Sequence, residues 1–260
     1  HEPMAFLLGW REFYGLKLKT DKRALIPRGE SEVLVEEALK WLSSQTRVLS
    51  SQTQNDEVVL GIRDQEINNQ ILPTDTPTSR GSGQDDRQVV VEIGTGCGAI
   101  ICAIAKNAPG HTYVATELSN EALELAKENA ATLDLRIDFR QGNLFEPLAN
   151  LSGKIDLLVA NLPYIPEGLL AVLDPTVKYY EPHLALSGGS DGLDLYRQFI
   201  PQTKQLLKPG GCMIVEHEFD QGEVVRNLIL QTYPDGNVAT KPDFSGHDRI
   251  TILQLPSLPA

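Results

Sequence analysis

The sequence is short of cysteine, of long apolar runs and of positive charge. It has three cysteines in 260 residues. Cys97, Cys102 and Cys212 form no Cys-x-x-Cys pair and have no histidine at zinc-ligand spacing, which argues against a disulfide framework and a zinc site and marks them as reduced thiols. No uninterrupted apolar stretch approaches the roughly 18–20 residues that span a bilayer, and the N-terminus lacks the basic-then-apolar layout of a signal peptide. A cytoplasmic protein without membrane contact is therefore expected. Lys and Arg number 23 against 35 Asp and Glu, a formal net charge of −12. With no basic cluster, a sequence-independent grip on duplex phosphates is disfavoured and no direct nucleic-acid binding is expected.

What is present is a globular composition, 41% apolar and 22% charged, long enough for one large or two small domains. The chain opens at His1 rather than at Met, as a piece of a longer protein would. No internal repeat is visible. Within the N-terminal segment, residues 1–42, the pattern Val33, Leu34, Ala38, Leu39, Leu42 predicts a helix from Ser31 to Leu42, with Glu30 and Glu32 at its positive end. Residues 43–88, rich in Ser, Gln, Thr, Asn, Asp and Pro, read as a flexible polar insertion or linker, with a short strand at Val58–Ile62.

From residue 89 to 260 apolar runs alternate with helical patterns: Val89–Ile93, Ala99–Lys106, Tyr113–Thr116, Asn120–Leu133, Ile137–Arg140, Ile155–Ala160, Gly211–Glu216 and a closing strand, Ile250–Leu255. This rhythm predicts an α/β fold with a mostly parallel, doubly wound sheet. Lys208–Gly211 reads as a tight turn, and Leu193–Phe199 as a helix starting after Asp191-Gly192.

The chemistry-bearing residues fall at the predicted strand ends, where open α/β sheets bind ligands. Glu92-Ile93-Gly94-Thr95-Gly96-Cys97-Gly98-Ala99 is a glycine turn from strand to helix, suited to close approach by a cofactor. By itself it fits a nicotinamide as well as a nucleoside cofactor. Glu117, with Leu118 beside it, is placed to accept hydrogen bonds from ribose hydroxyls. Asn143, next to Leu144, is placed to read an adenine amino edge. After the fourth strand comes Asn161-Leu162-Pro163-Tyr164.

This loop resembles the Asn-Pro-Pro-Tyr loop of S-adenosylmethionine-dependent methyltransferases that modify planar amide or amino nitrogens. The resemblance spans roughly residues 3–42 and 88–254. Phe13-Tyr14-Gly15-Leu16, Leu25–Glu32, the Glu92–Ile100 turn, Tyr180-Glu181-Pro182, Leu184–Leu193 and Gly246-His247-Asp248-Arg249 are similar to the glutamine N5-methyltransferases of peptide chain release factors, the PrmC/HemK family. It implies a Rossmann-like, seven-stranded methyltransferase fold, S-adenosyl-L-methionine as cofactor, and a substrate glutamine in the Gly-Gly-Gln motif of a release factor. Members usually carry a small helical domain before the position where this chain begins, and that domain is expected to be absent here. The chain departs from the pattern at Leu162 and Gly29, where the family has Pro, and at Glu92 and Glu117, where Asp is common.

The resemblance implies catalytic roles for Asn161, Leu162, Pro163 and Tyr164. The Asn161 side-chain carbonyl and the Leu162 backbone carbonyl would take the two amide N–H groups while Tyr164 packs on the amide plane. The cofactor would contact Glu92, Gly94, Thr95, Gly96, Gly98, Glu117, Leu118, Asn143, Leu144 and Asn161. Arg28 and Glu181 are candidates for binding the substrate protein, and a monomer is expected. Three other readings stay open: a nucleic-acid amino-methyltransferase, which needs a basic groove this chain lacks; a nicotinamide-dependent oxidoreductase, which leaves the Asn161 loop without a role; and a silent binding module on the same fold.

Overall fold

The computed structural model describes residues 1–59 and 87–257. A short helix α1 (Met4–Leu8) precedes a hairpin, β1 (Trp10–Phe13) and β2 (Leu16–Lys19). Then comes α2 (Glu32–Val59), which runs well beyond the Leu42 end that periodicity suggested. No Gly or Pro stands between Ser31 and Leu60. The Ser, Gln and Asn that make the stretch look like a linker each lower helix propensity by only about 0.5 kcal/mol and do not break a helix. Val58 and Val59, read as the start of a strand, end this helix. Leu60 to Asp86, most of the rest of the expected insertion, lie outside the described residues.

The remaining elements are β3 (Val89–Ile93), α3 (Ala99–Asn107), β4 (Thr112–Glu117), α4 (Asn120–Thr132), β5 (Asp138–Gln141), β6 (Ile155–Ala160), α5 (Pro175–Lys178), α6 (Asp194–Gln202), β7 (Leu207–Glu216), α7 (Gly222–Thr232), β8 (Asn237–Pro242) and β9 (Asp248–Gln254). Among the described residues seven strands form one sheet in the order β5-β4-β3-β6-β7-β9-β8. The β3–β7 pairs are parallel, and β9 runs antiparallel between β7 and β8. The doubly wound prediction holds, with β8 as a strand that the apolar runs did not reveal: its exposed, polar Asn237–Pro242 has no continuous hydrophobic stretch. The turn expected at Lys208–Gly211 is instead part of β7, where the pairing with β6 slips between Ile155 and Leu157.

Helices α2, α3 and α4 cover one face of the sheet and α6 and α7 the other. Helix α3 is buried from Ala99 through Ala105. It lies between α2 and α4 as well as on the sheet, so it is apolar all round rather than amphipathic. Helix α4 starts on Ser119, whose hydroxyl accepts the Ala122 N–H. Cys97, Cys102 and Cys212 are all buried free thiols.

The direction of winding reverses between β3 and β6, so the loops leaving these adjacent strands diverge and open a crevice at their C-terminal ends. The register pairs Ile93 with both Thr116 and Ala160, and Glu117 with Gln141. Gly94, Glu117, Gly142 and Asn161 therefore leave the sheet at one level, around one opening.

Candidate active site

That opening is a cavity of about 720 Å³, within the range of sites that enclose cofactors. One wall comes from β3, β4 and β5. The Gly94 and Thr95 N–H groups both donate to the Thr116 carbonyl, at 2.9 and 3.0 Å. The chain is thereby pinned into a turn with Gly94 at φ 70° and Gly96 at φ 55°. A Cβ on Gly94 would stand 2.9 Å from Leu162 Cδ2, whereas one on Gly96 would meet nothing within 4 Å. Gly94 thus meets the opposite wall, and Gly96 leaves room for a ligand.

Glu117 holds this turn from β4: its carboxylate accepts the Gly96 N–H at 2.8 Å and the Ser119 N–H at 2.9 Å. Each carboxylate oxygen retains a lone pair for hydroxyl donors. Gly94, Thr95, Gly96, Glu117, Leu118, Asn143, Leu144 and Asn161 all line the cavity. Asn143 is exposed at its edge, Leu144 is held at φ 47°, and the Leu144 carbonyl accepts the Thr116 hydroxyl. Glu92 borders the cavity but is 1% exposed; its carboxylate accepts the Thr95 hydroxyl and the Ile101 N–H, and burial pushes its pKa up to about 8. Glu92 therefore fastens the turn to α3 from beneath.

Gly98 does not line the cavity. A Cβ there would lie 3.1 Å from Ala126 Cβ, so its role is the close packing of the turn on α4.

The other wall is the loop after β6. Asn161 donates from Nδ2 to the Ser31 hydroxyl at 3.1 Å. Ser31 is 3% exposed and lines the same cavity. Its hydroxyl takes the Asn161 NH2, leaving Asn161 Oδ1 as the acceptor. Leu162 is 3% exposed. Its carbonyl has a 3.4 Å contact with the Tyr196 hydroxyl, whose shorter bond goes to the Glu216 carbonyl. Packing of Leu162 against Gly94 supplies the hold that proline's fixed φ would otherwise give.

Pro163 lines the cavity and Tyr164 does not. The Tyr164 ring packs among Leu162's core neighbours, with its hydroxyl 3.4 Å from Glu216 Oε1 and its carbonyl bonded at 3.0 Å by Gln221 Nε2. Through these contacts Tyr164 anchors the loop after β6. A Cβ on Gly188 would fall 2.7 Å from the Pro163 carbonyl and 2.4 Å from that of Gly192. Only glycine lets Leu186–Gly192 lie this close to the loop, where Ile165 and Ser187 form a parallel bridge.

Arg28 and Glu181 are joined to each other: Nη2 donates to Oε1 at 2.5 Å, and the Ile26 N–H reaches Oε2 at 3.3 Å. Glu181 is buried and off the cavity, while Arg28 borders it. The pair ties residues 26–28 to residue 181, with the Arg28 side chain at the cavity border.

Sequence reasoning missed Ser31, Glu216 and Asn129. Asn129 accepts the Lys19 N–H at 2.7 Å and donates to the Lys19 carbonyl at 3.1 Å and the Cys97 carbonyl at 2.9 Å. It locks the N-terminal hairpin and the glycine turn onto α4. A buried polar residue on a helix's apolar face was the available signal. His183 borders the cavity, whereas His217 is buried with its ring nitrogens on Thr251 and the Glu218 carbonyl. Among the described residues no three His, Cys, Asp or Glu side chains are grouped to hold a metal ion.

Residues 84–241 match a family model described as "Methyltransferase domain". The catalytic domain of hMettl16, solved in complex with the MAT2A 3'UTR hairpin 6, superposes with a TM-score of 0.60 over 95% of this chain and 78% of that one, at 12% identity. Sheet order, cavity and family model together define an S-adenosylmethionine-dependent methyltransferase. Release factor glutamine methyltransferases of Enterococcus faecalis and Geobacter sulfurreducens are each 35% identical to it, over 97% and 96% of this chain and 76% and 72% of theirs. That of Streptococcus pneumoniae is 34% identical over 97% of this chain and 75% of its own. The chain belongs to the release factor glutamine methyltransferase family.

Proposed function

We propose that this protein methylates the side-chain amide nitrogen of the glutamine in the Gly-Gly-Gln motif of a peptide chain release factor. The observation that carries the reading is the meeting of two walls in one cavity, the glycine turn with Glu117 on one side and Asn161 with Leu162 on the other. S-adenosyl-L-methionine supplies, when bound, a methyl group made electrophilic by its sulfonium. The residues present suit it: Glu117 would accept ribose hydroxyls and Asn143 the adenine amino edge, and Gly96 leaves space beside the turn.

An amide nitrogen is a weak nucleophile because its lone pair is delocalised into the carbonyl. Asn161 Oδ1 and the Leu162 carbonyl, held in place before substrate arrives, accept its two N–H groups. They orient the nitrogen, and they stabilise the positive charge that grows there as it is methylated. No strong base is needed, since the methylated nitrogen sheds a proton readily. Ser31 fixes which end of the Asn161 amide faces the substrate.

The protein acts as a cytoplasmic monomer on a protein substrate, and its net charge of −12 speaks against nucleic acid as that substrate. Among the described residues no helix is long and apolar enough to cross a membrane. The test is transfer of labelled methyl to a purified release factor, beside a Gln→Ala variant of its Gly-Gly-Gln motif and an Asn161→Ala enzyme. Label that requires both the glutamine and Asn161 is the expected result, and cofactor binding without any transfer would falsify the reading.

A further inference from the structure

The Leu162 carbonyl has to be both free and fixed. To take a substrate N–H it must keep a lone pair unengaged, and among the described residues its one hydrogen-bond contact is the long, 3.4 Å approach of the Tyr196 hydroxyl. To be preorganised it must then be held through its covalent neighbours. The next residue, Pro163, has no N–H to bond. Among the described residues, the first backbone group past Leu162 to make a hydrogen bond is the Tyr164 carbonyl, which accepts from Gln221 Nε2 at 3.0 Å.

Gln221 is well set to hold that group. It is 7% exposed and stands just before α7, in the turn that follows β7. Its Oε1 accepts the Glu218 N–H at 3.1 Å while its Nε2 donates to Tyr164. Turning the amide over would set donor against donor and acceptor against acceptor, so its orientation is fixed. Gly192, at φ 84°, covers the bond: a Cβ there would stand 2.6 Å from Gln221 Nε2 and closer still to the Tyr164 oxygen. A buried amide–carbonyl bond covered in this way is costly to break, because water has little room to replace it. Strands β6 and β7 end side by side, paired at Ala160 and Val215, so Gln221 joins the two loops that follow them.

We propose that Gln221 is a positioning residue for methyl transfer: it fixes the Tyr164 carbonyl beneath Gly192, and through Tyr164 and Pro163 the direction of the Leu162 carbonyl that receives the substrate amide. The inference rests on the acceptor roles proposed above for Asn161 and Leu162. Pro163 transmits the hold, because its ring fixes its own φ and confines Leu162 to extended backbone. One residue beyond Tyr164, the Ile165 N–H donates to the Leu186 carbonyl at 3.1 Å and the Ile165 carbonyl accepts the Gly188 N–H at 2.9 Å. The loop is thus held by the Leu186–Gly192 segment and by Gln221. Of these holds Gln221 acts nearest in the chain to Leu162, and it is made by a side chain, so substitution can remove it alone.

Two variants, Gln221→Glu and Gln221→Met, remove the donor and keep the size of the side chain. In each, kcat for a purified release factor at saturating cofactor falls at least about tenfold, as a small misplacement of a positioning group does. KM for the release factor and cofactor affinity stay within about threefold, the split expected when only a transition-state interaction is lost. Gln221→Met buries no charge, so it bears the test if Gln221→Glu does not fold. A second readout needs no methyl transfer. Amide hydrogen exchange at Ile165 and Gly188 speeds at least about tenfold in Gln221→Met, whereas exchange at Gly94 and Thr95, bonded in the opposite wall, stays within about threefold of the wild type. If the wild type transfers no methyl to the glutamine, the substrate reading falls and the exchange rates alone decide this one. Wild-type kcat in Gln221→Met, a kcat loss matched by an equal loss of cofactor affinity, or exchange that speeds equally in both walls overturns the proposal.

Discussion

The two walls of the cavity are built on different length scales. The cofactor wall is local: Glu92 bonds to Thr95 three residues on, Glu117 to Gly96 and Ser119, and the turn to the neighbouring strand. The acceptor wall is assembled from afar, with Ser31 130 residues from Asn161, Glu216 52 from Tyr164, and Arg28 153 from Glu181. A wall made from consecutive strand–helix units, β3 to β5, takes most of its geometry from contacts between neighbours in the chain. A wall made from four chain segments exists only once the whole domain is closed, which ties the methyl acceptor's orientation to global folding and leaves cofactor binding less dependent on it.

Function should separate along the same line. The largest expected effect is that of Asn161→Ala, which removes the side-chain acceptor: kcat for methyl transfer falls by about 10²–10³, as for loss of one preorganised hydrogen-bonding group. Cofactor affinity, measured by calorimetry, stays within about tenfold because Glu117 and the glycine turn keep their own bonds. Glu117→Ala should do the reverse. Losing hydrogen bonds to a charged acceptor, about 1.5–3 kcal/mol, weakens cofactor binding by about 10–100-fold, with a much smaller change in kcat at saturation. Equal losses of kcat and affinity in both variants would abolish the distinction.

The difference in scale also explains what could be read before the structure was seen. Sheet type, the glycine turn, Glu117, Asn143 and the Asn161 loop all lie at the ends of apolar runs, where alternating strand and helix patterns announce them. Ser31 carried no such mark, because a serine before a helix reads as an ordinary start; its partner, Asn161, lies 130 residues further along the chain. Arg28 and Glu181 stand out in the sequence, but no local pattern says that two residues so far apart pair with each other. Tyr164 stood in the right loop, but its direction was decided by the core and by Glu216. Helix α2 was cut short because composition was weighed above the absence of Gly and Pro.

The two walls touch at Gly94 and Leu162, and a substitution there tests whether they move independently. A Cβ on Gly94 would lie 2.9 Å from Leu162 Cδ2 at a φ of 70°. Gly94→Ala therefore has both backbone strain and a clash to absorb, costing about 1–3 kcal/mol of stability in a denaturant titration. Because Leu162 is 3% exposed and gives way only by moving its loop, the variant should lower kcat and cofactor affinity together, unlike Asn161→Ala or Glu117→Ala. Adding Leu162→Ala to Gly94→Ala makes room for the new methyl, and the pair should be less destabilised than the sum of the singles.

The smallest effect concerns Glu92, the buried acid of the local wall. Its pKa is pushed up to about 8 by burial, with Glu117 adding to the rise and the Thr95 and Ile101 hydrogen bonds opposing it. The folded protein thus holds a proton there that the unfolded chain, with an ordinary carboxylate, gives up. Between the usual carboxylate range and about pH 8 the unfolded state binds fewer protons at this site, so the stability contribution falls as pH rises through that window and levels above it. Glu92→Gln, which keeps the acceptor oxygen without the titration, should flatten that decline, with a stability difference on the order of 1 kcal/mol greater at pH 8 than at pH 5. Thermal unfolding across the two pH values reads it directly. Glu92 bonds to Thr95 and Ile101 beneath the glycine turn, so the substitution should leave cofactor affinity within about tenfold of the wild type.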